Sequence, residues 1–221
     1  MKNLLLKTLV VLGILQLSCR EVEEPVISAN YYPLAIGTTW IYQVDSTVYD
    51  DFLGDSTHFT MLRKEEVVSS FVAGKDSVPT YLISIYTASS DSSPWIYQKS
   101  CSGYQTDHVA VRTNQNIPEV KMVFPVVNRK SWDGNQLNTQ GKDTYRFINI
   151  GLIHQIEETI FHNTVRVEQE NTQSADSEDI RWEIYAPEVG LIEKKVSKTE
   201  LIDGNKGGVH YSWKLKSFTS H

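Results

Sequence analysis

Few side chains in this chain have the type and spacing that chemistry requires. His58, His108, His154, His162, His210 and His221 show no His-x-x-x-His or His-Glu-x-x-His spacing, so none presents a zinc pair from one helix face. His154 and His162 would lie roughly 26 Å apart along one continuous strand, too far to share an ion. Asp45, Asp50, Asp51 and Asp55 are clustered but lack the alternating acids and closing glutamate of an EF-hand, so they read as a solvated hairpin turn. Glu157 and Glu158 are neighbours in sequence only: adjacent strand residues face opposite ways and cannot work as a carboxylate pair. No Gly-x-Ser-x-Gly elbow, phosphate-binding glycine loop or dinucleotide fingerprint occurs. The expectation is no metal, no cofactor and no catalytic set. That describes a non-enzymatic protein, with a hydrolase as the least favoured alternative.

Two thiols remain. Cys101 sits in Lys99-Ser-Cys-Ser-Gly103, beside an expected turn, and reads as a small semi-buried side chain. Cys19 closes a segment of different character. Lys2 and Lys7 precede an apolar run from Thr8 to Leu17, and Ser18 stands directly before the cysteine. A positive start, a short apolar stretch and a small residue at the cut site make a secretory signal peptide. The run is roughly half the 20 or so apolar residues that a membrane-spanning helix needs. If Cys19 is consumed by modification, Cys101 has no partner and no structural disulfide is expected despite the oxidising compartment.

Leu15-Gln16-Leu17-Ser18-Cys19 resembles the lipobox of bacterial lipoproteins, although Gln16 and Leu17 depart from its usual leucine and small residue. The resemblance implies that Cys19 is the lipid-attachment site and that residues 1–18 are removed. Several acyl chains on one residue suffice as an anchor, since each buried methylene contributes about 0.8 kcal/mol. Arg20-Glu21-Val22-Glu23-Glu24 resembles the acidic tract behind the anchor of Bacteroidetes-type lipoproteins. That resemblance implies an outer-membrane lipoprotein of a Gram-negative bacterium, on the periplasmic or the cell-surface face; a plain charged tether is the alternative.

Removing residues 1–18 leaves 203 residues and moves the formal net charge from −6 to −8. An acidic chain without a basic cluster argues against nucleic acid as a partner and against binding anionic headgroups by charge, so membrane contact is expected through the lipid alone. Residues 19–30 read as the lipidated tether and 31–221 as one antiparallel β domain.

The elements follow from period-two alternation. Trp40, Tyr42 and Val44 alternate with Thr39, Ile41 and Gln43, making the first strand. Residues 57–71 read as a long mixed segment whose Arg63-Lys-Glu-Glu66 centre leaves helix open. After a turn at 73–77 come strands through 81–86, 95–97, 106–112, 119–127, 144–150, 156–162 and 164–171, with Ser131 to Asn135 a turn. Arg181 to Tyr185 and Leu191 to Ile202 are strands, the second with Lys194, Lys195 and Lys198 outward. Asp203-Gly-Asn-Lys-Gly-Gly208 is a hairpin loop. In the closing strand Val209, Tyr211, Trp213 and Leu215 share one face. The sum is an all-β fold with little helix: about ten to twelve strands in a single strongly curved antiparallel sheet or half-open barrel.

Tyr32-Pro-Leu-Ala-Ile-Gly37 with Trp40-Ile-Tyr42, and Trp182-Glu-Ile-Tyr-Ala-Pro-Glu-Val-Gly-Leu-Ile192, resemble a family of Gram-negative cell-envelope β-proteins of unknown function. Val123 to Val127, Trp132 and Phe161 to Val165 fall in a similar order. The resemblance implies a half-barrel like those of lipoprotein carriers and supplies no catalytic residues. With five tryptophans and eleven tyrosines available, the expected role is binding of a hydrophobic small molecule or an envelope protein. Trp40, Tyr42, Trp95 and Trp213 are the candidate ligand contacts, although Trp40 and Tyr42 read more readily as core anchors of the first strand. The alternative is a surface glycan-binding accessory lipoprotein stacking Trp95 or Trp132 on sugar rings.

Overall fold

The structure, a computed structural model, describes residues 29–72 and 78–220. The signal segment, Cys19, most of the tether and the turn at 73–77 lie outside the described residues. Twelve strands follow one another with no helix among the described residues: β1 (Thr39–Asp50), β2 (Asp55–Phe71), β3 (Thr80–Ala88), β4 (Ile96–Gln105), β5 (Val109–Asn114), β6 (Ile117–Val123), β7 (Ser131–Asp133), β8 (Thr144–Ile156), β9 (Thr159–Gln173), β10 (Ser177–Ala186), β11 (Gly190–Ile202) and β12 (Asn205–Thr219). They form one antiparallel sheet in the order β6-β5-β4-β3-β2-β1-β12-β11-β10-β9-β8-β7. Chain neighbours are sheet neighbours except β6 and β7, which form the two ends, and β12 returns to pair with β1.

The two ends of this sheet meet, so the single strongly curved antiparallel sheet expected from the alternation is nearly closed into a barrel. Val120 N donates to Gly134 O at 2.9 Å, and Trp132 Nε1 donates to Val120 O at 2.8 Å. Residues 131–133, expected as a turn, are instead the short edge strand β7 that carries the seam. Trp132 packs on Phe147 with ring centroids 4.6 Å apart, and Val120, Met122, Val126, Val165 and Val167 complete a buried cluster there. A sheet of this many strands must curl or split. Curling onto itself removes the exposed edges that would otherwise recruit other chains.

Alternation survives intact in β1, where Trp40, Tyr42, Val44 and Ser46 are buried and their neighbours are half-buried. The Arg63-Lys-Glu-Glu66 stretch is strand, because β2 pairs with β1 over the whole of Thr39–Asp50. The two strands expected at 156–162 and 164–171 are one strand, β9, and Glu157-Glu158 forms its turn with β8. Register slips between Ile148 and Leu152, where Asn149 (φ 53°) and Gly151 (φ 78°) take left-handed conformations. The β8–β9 hairpin beyond that kink lies over β10 and β11: Ile156 and Phe161 pack with Ile184, and His154 Nε2 meets Glu193 Oε2 at 2.6 Å.

Residues 30–37 cross the end of the barrel at which β1 begins. Glu188 N donates to Asn30 O at 2.8 Å, the Tyr31 hydroxyl donates to Asn163 O at 2.6 Å, and Gly37 N donates to Val67 O at 2.8 Å. Gly190 sits at φ +89°, and a Cβ there would stand 3.3 Å from Pro33 Cδ, so this crossing needs the glycine of the Ala186–Gly190 turn.

Removing the indole N–H at the seam leaves the buried Val120 carbonyl one partner short. Trp132→Phe should therefore lower unfolding stability by about 1–3 kcal/mol in urea titrations. An unchanged midpoint would mean that the seam does not contribute to closure.

Candidate functional site

The inward faces of β2, β5, β6, β10 and β11 bring together charges far apart in sequence. Arg63 and Glu65 alternate with outward Lys64 and Glu66 on β2, and register places Glu65 opposite Trp40. Arg63 donates to Glu65 Oε1 from Nε at 2.9 Å and from Nη2 at 2.7 Å. Arg112 of β5 donates to Glu65 Oε2 from Nη1 at 2.8 Å. Across the barrel, Lys121 Nζ donates to Glu119 Oε1 and to Glu183 Oε1, each at 2.9 Å. Lys194 donates to the same Glu183 oxygen at 2.9 Å, and the Tyr185 hydroxyl donates to its other oxygen at 2.7 Å. The Tyr145 hydroxyl donates to Glu119 Oε1 at 2.6 Å.

Between these groups lies a cavity of about 220 Å³. Its wall includes Arg63, Lys99, Arg112, Lys121, Lys194 and Trp213, with Tyr32 of the crossing segment beneath. The Arg63 guanidinium carbon stands 4.3 Å from the Trp213 ring centroid and Lys194 Nζ stands 5.2 Å from it. The Tyr32 hydroxyl is buried and has no hydrogen-bond partner among the described residues. Lys99 is exposed and marks the mouth. A surface groove of about 250 Å³ beside Tyr81 and Thr106 is of a different kind, its described lining carrying one formal charge, Asp107.

Burial alone would raise the pKa of each interior carboxyl, and the adjacent cations more than reverse that. Glu65 is held at about 2 by Arg112 and Arg63. Glu183 is held well below the ordinary carboxylate range by Lys121 and Lys194, and Glu119 is lowered mainly by Lys121. For Lys121 the balance runs the other way: desolvation lowers its pKa, but Glu119 and Glu183 raise it overall. The Tyr32 and Tyr145 phenols are pushed up, principally by burial. All three carboxyls are therefore ionised at neutral pH, and none has the near-neutral pKa that general acid–base catalysis uses.

Of the residues singled out in the sequence, Trp213 lines the cavity. Trp40 and Tyr42 are core: Trp40 Nε1 donates to Val189 O at 2.6 Å, and the Tyr42 hydroxyl donates to Leu191 O at 3.0 Å. Trp95 lies on the outer face near Lys64, whose Nζ is 5.5 Å from its ring. Trp132 is buried in the seam. Cys101 is a buried residue inside β4 rather than beside a turn, and burial raises its pKa. A turn does intervene between His154 and His162, but His154 is taken by Glu193 and His162 is exposed; no group of three or more metal-ligating side chains forms among the described residues.

Lys194 was expected to point outward with Lys195. Adjacent strand residues cannot share a face, and Lys194, paired in register with inward Trp213 and Glu183, points into the cavity. Sequence reasoning also missed Arg63, Arg112, Lys121 and Glu183. The available signal was parity: Arg63 and Glu65 stand opposite Tyr42 and Trp40, and Glu183 alternates in step with Tyr185.

No protein-family model and no curated protein matches the chain. Among solved structures, it is similar to a chain described as an exported protein with a YmcC-like fold from Bacteroides fragilis, with TM-score 0.49 and 9% identity, covering 87% of this chain and 100% of that one. It is also similar to a chain described as a lipoprotein from Parabacteroides distasonis, with TM-score 0.46 and 10% identity, covering 86% of this chain and 99% of that one.

A carboxyl whose pKa is depressed on folding stabilises the fold above its unfolded pKa, and that contribution is lost as pH falls through the folded value. For Glu65, depressed from 4.5 to about 2, the contribution at pH 7 is roughly 3 kcal/mol. Glu65→Gln should be less stable than the parent chain at pH 7, with the gap narrowing by roughly 2 kcal/mol at pH 3. Urea titrations at the two pH values measure this, and a gap independent of pH would contradict the ion-pair assignment.

Proposed function

We propose that the chain is a lipid-anchored, non-enzymatic binding protein of the Gram-negative outer envelope, and that it holds a small ligand inside the barrel. The observation that carries this reading is the cavity itself: a space of about 220 Å³ left open among ionised side chains inside the barrel. Interiors are normally filled to crystal-like density. Leaving charged groups around a void is unfavourable unless something polar occupies it.

Support for a non-enzymatic role comes from the carboxyl groups. Each is locked by cations in its ionised form, which suits positioning and charge complementarity rather than proton transfer. Support for the anchor comes from the signal segment and the lipobox-like Leu15-Gln16-Leu17-Ser18-Cys19. The hydrophobic ligand expected from the aromatic content is disfavoured by the lining, because an acyl chain there would strip water from lysine and arginine without replacing it.

A second reading, the surface glycan-binding one, has an observation of its own. On the outer face the Tyr86 and Tyr97 rings stand 5.8 Å apart, and Lys64 Nζ lies 4.3 Å from the Tyr86 centroid and 5.5 Å from that of Trp95. Tyr97 is 56% exposed. Trp132 drops out of this reading because it is buried.

Two measurements test the leading proposal. Cys19→Ala should move the protein from the membrane fraction to the soluble one; retention on the membrane would rule out the lipid anchor. Native mass spectrometry of the full chain released from detergent should show a bound small molecule that is lost in Trp213→Ala. Retention on a glycan column that depends on Tyr97, with no bound mass in the barrel, would favour the second reading instead.

A further inference from the structure

The charges around the cavity do not balance, and the imbalance specifies a ligand class. Arg63, Arg112, Lys121 and Lys194 face Glu65, Glu119 and Glu183, four cations against three carboxylates, and Lys99 at the mouth adds a fifth cation. Arg181, the next inward cation along β10, does not line the cavity and has its own partners, Asp143 and Asp179 at 2.9 and 2.8 Å. The whole chain is acidic, with formal net charge −6, so a positive interior is not inherited from composition.

Several donors not used in ion pairs border the cavity, while two others, Arg166 Nε and Gln169 Nε2, are buried away from it without hydrogen-bond partners among the described residues. Arg63 uses Nε and Nη2 on Glu65, leaving Nη1. Lys99 makes no ion pair among the described residues, and the Tyr32 hydroxyl is buried without a partner. A guanidinium N–H, an ammonium and a phenol O–H form a set of donors, with the Asn114 amide beside them. Such a set suits acceptor oxygens carrying negative charge, the geometry in which arginine and lysine bind carboxylate or phosphate. Each buried cation already has a carboxylate partner, so the surplus positive charge lies toward Lys99 at the mouth, and an anion of one or two charges would balance it. The volume lies below the roughly 300–1,000 Å³ of pockets that hold drug-sized ligands.

We infer that the barrel interior is a binding site for a small soluble anion bearing phosphate or carboxylate, held by Arg63, Lys99 and Tyr32. This rests on the proposal that the cavity is a ligand site and adds the ligand's chemistry. Lys99 is the electrostatic gate at the mouth, where a positive potential between low-dielectric walls draws anions in.

The test uses the full chain in detergent and phosphate-free buffer, titrated with inorganic phosphate, citrate and, as a neutral control, glucose. Tryptophan fluorescence and melting temperature are the readouts. Phosphate or citrate should bind saturably and raise the melting temperature. Lys99→Gln should weaken that binding at least ten-fold, while Lys214→Gln, an equal charge change on the outer face of β12, leaves it unchanged. Because Lys99 is exposed, its loss does not threaten folding. No response to either anion, or equal weakening by the two substitutions, overturns the inference. Binding of glucose or a co-purifying neutral molecule without anion binding also overturns it while the ligand-site proposal stands; no ligand of any kind defeats both.

Discussion

Pairing of charge across the barrel is the constraint on which the rest of this structure depends. Glu65 on β2 holds Arg112 on β5, and Lys121 on β6 reaches Glu183 on β10, which in turn holds Lys194 on β11. The Glu65–Arg112 and Lys121–Glu183 contacts run through the interior between non-adjacent strands, so they tie separate parts of the wall together. Lys194, by contrast, is the in-register neighbour of Glu183 on the adjacent strand. Their desolvation is costly, and well-packed apolar residues in their place would often be as stable or more so. A purely structural account of the interior therefore explains the pairs poorly. An account in which the charges serve a ligand explains both the pairs and the space left between them.

The ion pairs work only because the sheet closes. Val120, Gly134 and Trp132 join the two end strands of the sheet, β6 and β7, and the apolar cluster behind them excludes water from that seam. At one end Tyr32 comes in beneath the charged groups, delivered by a segment pinned at Asn30, Tyr31 and Gly37. The other apolar cluster takes in Trp40, Tyr42, Ile83 and Leu215, and its outer part is covered by the β8–β9 hairpin through Ile156. Core, seam and crossing segment thus position the cavity, and the cavity holds the chemistry.

The architecture was legible in the alternation of residues. Trp40, Tyr42 and Val44 marked the first strand, and Val209 to Leu215 the last, with the correct faces. What could not be read was which face of a mixed strand looks inward. The rule that apolar side chains go in and charged ones go out fails at Arg63, Glu65, Lys121, Glu183 and Lys194, because here the interior is partly polar. It fails in the opposite direction at Ile184, an outer-face residue that a folded-over hairpin covers. Long-range pairing hid the site as well: Lys121 and Glu183 are separated by 62 residues, and no local spacing announces their contact. The seam at Ser131–Asp133 was missed because three residues with Gly134 close behind look like a turn.

One measurement reaches the central claim directly. In a crystal of the full chain soaked in selenate, anomalous scattering reports where a tetrahedral anion settles. The account predicts a selenium peak within the barrel, among Arg63, Lys99 and Tyr32. A barrel without such a peak, with selenate bound only on the outer surface, would contradict it.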